Sequence, residues 1–589
     1  MFDRSSAFGD ALDSPAARAV LETFLPGIAA SPMAVQYREV RLGQLSAMVP
    51  ALQDPEESAR LWAALAALAE GGPARPPYPA AIDPDPGYES DAVARGSAAL
   101  TLPPPTPRWG VVELALAGPA HGNPFVDVEL TARFRSGEGG GEREFVAGGF
   151  YDGDGSYRIR MLAEQEGEWS FETSSTARSL DGITGTVTVV APDAGSHGPV
   201  RADGFHFAHA DGTRHRPIGT TAYAWTSQDE RLEAATLATL ETAPFTKMRM
   251  CVFPKSYLYN ANEPQRYAFE GSPEAGWDVT RFDPAFFRHL ERRIADLGER
   301  GIQADLILFH PYDRWGFADL GPAVDERYLR YLVRRLAAYA NVWWSMANEF
   351  DLMWAKTVDD WERLAAVVGE NDPHGHLNSI HNCLRFYDYS RPWITHASMQ
   401  RIDVYRTAEN TDAWREQWGK PVVIDECAYE GDIDQGWGNI SGEEMVRRFW
   451  EGAVRGGYVG HGETYLNEAE QLWWSKGGAL VGTSPERIGF LERILAESPT
   501  GVLDPLPSDW DVPWGGVAGE YLLGYFGFNR PRFRNVVLPG DGAFHVDVID
   551  TWNMTIERMP GQHRGVLRVE LPGRPYMAVR LVAVSKEDA

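Results

Sequence analysis

At 589 residues, 44% hydrophobic and 23% charged, the chain is a globular protein too long for one core. Its 55 Lys and Arg face 83 Asp and Glu, a net charge of −28. That balance excludes nucleic acid and anionic membranes as partners, since both need a basic stripe that the sequence lacks. No run nears the ~18 apolar residues of a membrane span, Met1-Phe2-Asp3-Arg4 opens no secretory leader, and Cys251, Cys383 and Cys427 are too few and too far apart for a disulfide frame. A reduced, cytoplasmic protein is expected. A homo-oligomer is left open.

Residues 1–105 read as a helical region followed by Pro-rich linkers. Ser58–Leu68 is rich in strong helix formers, with apolar residues three and four apart. Prolines then crowd residues 73–86 and 103–105. From 106 to 200 the period changes to two: Val126, Val128, Leu130 and Ala132 alternate with Asp127, Glu129, Thr131 and Arg133, between Gly-rich turns near 137–141 and 152–155. This predicts an antiparallel β-sandwich. Asp152-Gly153-Asp154-Gly155 is read as a hairpin turn, because the later ligands of a calcium loop are missing.

Residues 201–505 alternate between strand and helix. Eight strands are predicted, at 217–223, 246–253, 304–309, 342–347, 378–382, 394–398, 422–424 and 458–465. Amphipathic helices lie between most of them, for example around Phe286, Leu290, Ile294 and Leu297. Count and length match a (β/α)8 barrel, and no GxGxxG follows the first strand to favour an open doubly wound sheet. Residues 506–589 return to alternation, as in Phe544–Ile549, and predict a C-terminal antiparallel β domain. The fold class expected is therefore multidomain. A central TIM barrel carries a helical N-terminal extension, an N-terminal β-sandwich and a C-terminal β domain.

In such a barrel the strand ends share one mouth, so the residues there belong together. The first three strands contribute Tyr223, Trp225, Arg249, Lys255, His310, Tyr312 and Asp313; the fourth brings Asn348, Glu349 and Asp351. His381 and His396 follow from the fifth and sixth, Glu426 from the seventh, and His461, Glu463, Trp473 and Trp474 from the eighth and its loop. Glu349 and Glu426 lie 426 − 349 = 77 residues apart, room for several strand–helix units. Two facing acids among hydrogen-bonding groups and rings are what glycosidic bond cleavage requires.

The Asn348-Glu349 pair after the fourth strand and Glu426 after the seventh resemble the signature of the clan A retaining glycoside hydrolases. Three runs are similar to those of a group of largely uncharacterised bacterial glycosidases with flanking β domains: Lys247–Pro254, Leu308–Asp313 and Val423–Cys427. The resemblance implies Glu349 as general acid/base, Glu426 as nucleophile and Asn348 as a ligand of the substrate 2-hydroxyl, acting on a β-linkage. A cytoplasmic setting, which offers imported fragments, and long loops that wall off a pocket point to exo action on a short oligosaccharide or glycoside, with no metal or other cofactor expected. His396 is expected to orient Glu426. Where clan members often carry an aromatic after the eighth strand, this chain has His461-Gly462-Glu463, which would put a third acid in the mouth. Two alternatives remain. One is a metal-dependent barrel hydrolase, raised by His310, His374, His376, His381, His396 and His461; the other is a non-catalytic carbohydrate-binding barrel.

Overall fold

The protein is described by a computed structural model. It covers all residues except 1, 32–33, 35–36, 39, 50–51, 53, 69–76, 137–142, 258, 404 and 585–589. The Gly-rich turn expected at 137–141 and part of the first Pro-rich stretch lie outside the described residues.

The centre is the barrel. Its strands are β1 (Gly219–Thr221), β2 (Lys247–Cys251), β3 (Gln303–Ile307), β4 (Val342–Ser345), β5 (Asn378–Ser379), β6 (Ala397–Gln400), β7 (Val422–Glu426) and β8 (Tyr458–His461). All pairings are parallel, in the order β5-β4-β3-β2-β1-β8-β7-β6. β5 and β6 share no ladder, but Thr395 N–H to Asn378 O (2.8 Å) and Ser379 Oγ to His396 O (2.6 Å) stitch the gap. The outer helices include α1 (Glu230–Leu240), α2 (Pro284–Glu299), α3 (Pro322–Leu336), α4 (Val358–Asn371), α5 (Thr411–Trp418), α6 (Gly442–Val454) and α7 (Ser484–Ala496). Their ends follow local chemistry. Asp283 caps α2 before a proline at its first position, and Thr357 with Asp360 forms a capping box at α4.

Between strands and helices lies the largest apolar core, built from strand residues such as Met248, Met250 and Ile424 and helix residues such as Ile294 and Leu332. The barrel interior is layered and unusually polar. Its floor is sealed by Phe207, Trp343, Val423 and Leu377. One layer up, Lys247 Nζ reaches Asp305 Oδ2 (2.5 Å) and Asp425 Oδ1 (2.6 Å), and Ser398 Oγ donates to Asp425 Oδ2 (2.6 Å).

The sandwich is one continuous eight-stranded sheet folded over its own core. Glu144–Tyr151 makes the corner: its first half pairs with Leu130–Ser136 and its second with Ser156–Leu162. A buried ionic cluster docks this domain on α2 and α3, with Arg335 bound to Glu291 (2.6 Å) and Asp152 (2.8 Å), and Arg160 bound to Glu291 (2.8 Å). The C-terminal domain has a six-stranded antiparallel sheet over a separate core and stacks Tyr525 on Trp450 of α6. The N-terminal helices, among them Pro15–Phe24, Leu42–Met48 and Pro55–Ala66, form a fourth core. No helix of the described residues is long and apolar enough to cross a membrane.

Candidate active site

Both carboxylates reach the mouth through departures from regular strand geometry. In β7 the register against β6 jumps from Met399–Ile424 to Gln400–Glu426, so Asp425 is an extra, bulged residue. A bulge re-aims the following side chain. Asp425 therefore points inward to Lys247 while Glu426, its immediate neighbour, also turns into the cavity. Glu349 lies in the left-handed region, φ 52° and ψ 57°. That conformation costs about 1–2 kcal/mol for a residue with a Cβ. Its neighbours hold it there: Asn348 N–H bonds Phe309 O (2.9 Å) and Phe350 N–H bonds His381 O (2.9 Å).

The two acids face one another. With its amide nitrogen turned toward them, Gln400 donates to Glu349 Oε1 at 3.1 Å and to Glu426 Oε2 at 3.2 Å. Those oxygens are thus at most 3.1 + 3.2 = 6.3 Å apart. The two N–H bonds of a primary amide diverge by roughly 120°, which places the acceptors about 5.5 Å apart. The outer oxygens are held separately. The Tyr312 hydroxyl donates to Glu349 Oε2, and the Tyr223 hydroxyl donates to Glu426 Oε1. Arg249 Nη2 and the Tyr223 hydroxyl approach Asn348 Oδ1 at 2.8 and 3.1 Å, so the Asn348 amide is oriented with its NH2 free to turn toward a ligand.

Burial sets the electrostatics. It pushes the Glu426 carboxyl up to about 8, against the pull of the Tyr429 hydroxyl. Glu349 is also raised, by burial first, with the Tyr312 hydroxyl and then the Lys255 charge working the other way. Lys255 is buried and brought down to about 8 by desolvation. Its ammonium lies over the rings of Tyr223 (3.5 Å), Trp474 (4.3 Å) and Tyr312 (4.5 Å), a cation–π cage in place of a counter-ion. Around it Tyr257, Tyr429 and Trp437 complete an aromatic cluster. His381 Nε2 stands 4.0 Å from Glu426 Oε1; neither His381 ring nitrogen, nor Nδ1 of His310, has a hydrogen bond among the described residues.

Of the residues read from the sequence, Glu349, Glu426, Asn348, Tyr223, Arg249, Tyr312 and His381 converge here, with His310 at the edge through Phe253 O (3.2 Å). Others stand elsewhere. His396 lies at the barrel floor, ring against Trp343 (5.3 Å) and Phe207 (5.7 Å), and does not orient Glu426; His381 is the imidazole beside that acid. Trp225 and Trp473 sit in the core outside the barrel, donating to Met250 Sδ and Thr220 Oγ1. Trp474, one residue on, faces the site. Asp313 and Asp351 are occupied by backbone N–H groups of their loops, at 315, 316 and 318 and at 383–385. Glu463 likewise accepts from the Val481 and Gly482 N–H groups (2.8 and 2.7 Å), so it is a loop cap and not a third acid beside the pair. His461 bonds Thr220 outside the barrel, and His374 and His376 are tied to Glu164 and Asp372. The histidines are thus dispersed, and among the described residues no three metal-binding side chains converge.

Gln400 and Cys383 were not read from the sequence. Gln400 is the last residue of β6, and the expected sixth strand ended two residues short of it; strand-end placement was the signal. Cys383 lies near Glu349, whose charge adds to burial in pushing its thiol up, on a loop whose position no pattern encodes.

Comparison with known proteins bears on the family and the fold. Residues 202–482 match the family described as Apiosidase-like, catalytic domain. Residues 105–176 and 510–582 match two domains of unknown function, DUF5060 and DUF5605. A protein of Bacteroides vulgatus ATCC 8482, provisionally assigned as a glycoside hydrolase, is 39% identical in sequence, with a TM-score of 0.77; the match covers 82% of this chain and 100% of that one. A glycoside hydrolase family 5 protein of the same organism shares the fold at 16% identity and TM-score 0.54, over 67% of this chain and 95% of that one. Another glycoside hydrolase does so at 15% and 0.52, over 67% and 98%. A search of curated proteins finds no match.

Proposed function

The chain belongs to the glycoside hydrolases with an apiosidase-like catalytic domain, and we propose that it cleaves a β-glycosidic bond with retention, by double displacement, from the end of a short oligosaccharide or glycoside. The observation that carries this reading is the single Gln400 nitrogen within hydrogen-bond reach of both Glu349 and Glu426. The ceiling of 6.3 Å that it sets falls below the ~6.5–9.5 Å that inverting enzymes need for a water, and the ~5.5 Å estimate fits direct attack.

In the first step Glu426 Oε2 attacks the anomeric carbon while Glu349 Oε1 gives its proton to the glycosidic oxygen. The C–O bond breaks, the alcohol leaves, and a glycosyl ester forms on Glu426. In the second, Glu349 takes a proton from water, whose oxygen attacks the same carbon and releases the Glu426 carboxylate. Near neutral pH the pair must hold one proton between them, and both carboxyls are raised by burial toward that range. Tyr223 donates to the outer oxygen of Glu426 and so favours its charged form, leaving Oε2 for attack. Asn348, its oxygen held by Arg249, offers its NH2 to the sugar 2-hydroxyl. The Tyr257–Trp437–Trp474 cluster gives one sugar ring its apolar face and narrows the mouth, which favours a chain end.

A Glu426→Gly variant incubated with an activated aryl glycoside and azide tests the assignment. A glycosyl azide of inverted configuration is expected; no rescue by azide, or inverted product from wild-type enzyme in water, overturns it.

A further inference from the structure

The N-terminal helices lie outside every matched family segment, yet they sit against the barrel mouth. The Tyr37 hydroxyl meets the Tyr257 hydroxyl of the aromatic cluster at 3.5 Å, and Gly43 abuts Trp354 so closely that a Cβ there would fall 2.7 Å from its side chain. Between this region and the β3 and β4 loops is a cavity of about 550 Å³, the size range of ligand pockets. One wall is Arg41 and Gln44; the other includes Trp277 and Trp354. Gln44 is only 3% exposed, and it contributes to the cavity lining. Arg41 acts by its charge on the Asp313 carboxyl across the cavity, and that carboxyl also accepts from three backbone N–H groups. Rings together with amide and guanidinium donors are the means by which proteins hold a sugar residue.

The cavity's position decides which residue that is. It is bounded by Pro311 and Asp313, either side of the Tyr312 that holds Glu349, and by Leu352–Ala355, which follow Glu349 in the chain. The general acid stands on the side of the departing alcohol. We propose that the N-terminal helical region completes a leaving-group subsite, in which a neutral sugar residue of the departing oligosaccharide lies between Trp277 or Trp354 and the Gln44–Arg41 wall. This rests on the assignment of Glu349 as acid.

Full-length Gln44→Ala and Arg41→Ala, with Gln44→Glu as a volume-preserving companion, should be assayed on two substrates of the same released sugar. One carries p-nitrophenol and the other a neutral disaccharide as leaving group. kcat/KM for the disaccharide conjugate should fall about 10-fold or more, mostly through KM, and that for the nitrophenyl glycoside by less than 2-fold. Equal losses on both, or none on the conjugate, overturn the proposal. Calorimetric titration of the conjugate into Glu426→Gln, with and without Gln44→Ala, separates the two readings. Weaker binding on loss of Gln44 supports the subsite even if Glu349 or Glu426 proves dispensable for turnover, and unchanged Kd refutes it.

Discussion

Two clusters of buried charge lie one layer apart in the barrel and behave oppositely. In the lower one Lys247 has two counter-ions, Asp305 and Asp425, at 2.5 and 2.6 Å. Each partner keeps the other charged: Lys247 is raised, and Asp425 is held well below the usual carboxylate range chiefly by Lys247 against its own burial. In the upper one Lys255, Glu349 and Glu426 are as deeply buried but have hydroxyls, an amide and rings in place of counter-ions, and Lys255 and Glu426 both move to about 8. Pairing makes a buried charge structural; withholding the pair leaves it free to exchange a proton near neutral pH.

The sharpest break of this contrast is Glu426→Gln. It should lower kcat/KM by about 10⁴-fold, some 5.5 kcal/mol of barrel chemistry, yet leave the fold intact or firmer. The sign follows from linkage. A carboxyl raised in the folded state contributes stability that is complete below its unfolded value near 4.5 and lost as pH climbs through about 8. Wild type should therefore lose a few kcal/mol relative to Glu426→Gln between pH 4.5 and pH 9, read from paired melting curves. A parallel pH dependence of the two proteins would dispose of the idea.

Lys247→Met attacks the other cluster and should do the reverse. It strands Asp305 and Asp425 in the barrel interior and should cost about 3–5 kcal/mol in denaturant unfolding at pH 7. Lys255→Met is the matched substitution above it. Because burial lowers that lysine, its charge burdens the fold below about pH 8 and ceases to do so by pH 10.5. The variant should gain about 1–3 kcal/mol at pH 7, with the gain fading over that interval. It should also move the alkaline limb of kcat/KM to higher pH, since Lys255 is among the groups that lower Glu349. A destabilised Lys255→Met with an unshifted limb would mean that the ammonium is structural after all.

The smallest effect concerns the barrel floor. His396→Phe keeps the ring packing against Trp343 and Phe207 and should change kcat/KM by less than 2-fold. A large loss would restore the connection to Glu426 that the geometry lacks.

How much of this was legible beforehand varies with depth in the barrel. The eight strands could be read from apolar runs, because a parallel strand buried on both faces has little else to show. The two acids could be read because each closes such a run. At β6 the apolar run stops at 398, two residues short of the strand's end, so the pattern points to His396 at the mouth, whereas the strand delivers Gln400 there. Adjacent tryptophans could not be told apart either, since after β8 no period links Trp473 or Trp474 to a face.

The amino-acid order alone determined the barrel class and the flanking β domains and singled out the two carboxylates proposed as catalytic, since those are written in local periodicity and in what terminates it. Which side chains meet was decided in three dimensions. A bulge at Asp425 turns two consecutive acids inward, a left-handed Glu349 is held by bonds to β3 and β5 residues, and a helical region some three hundred residues upstream brings Gln44 and Tyr37 against the mouth. These are consequences of long-range packing, which fixes side-chain direction where local propensity is silent.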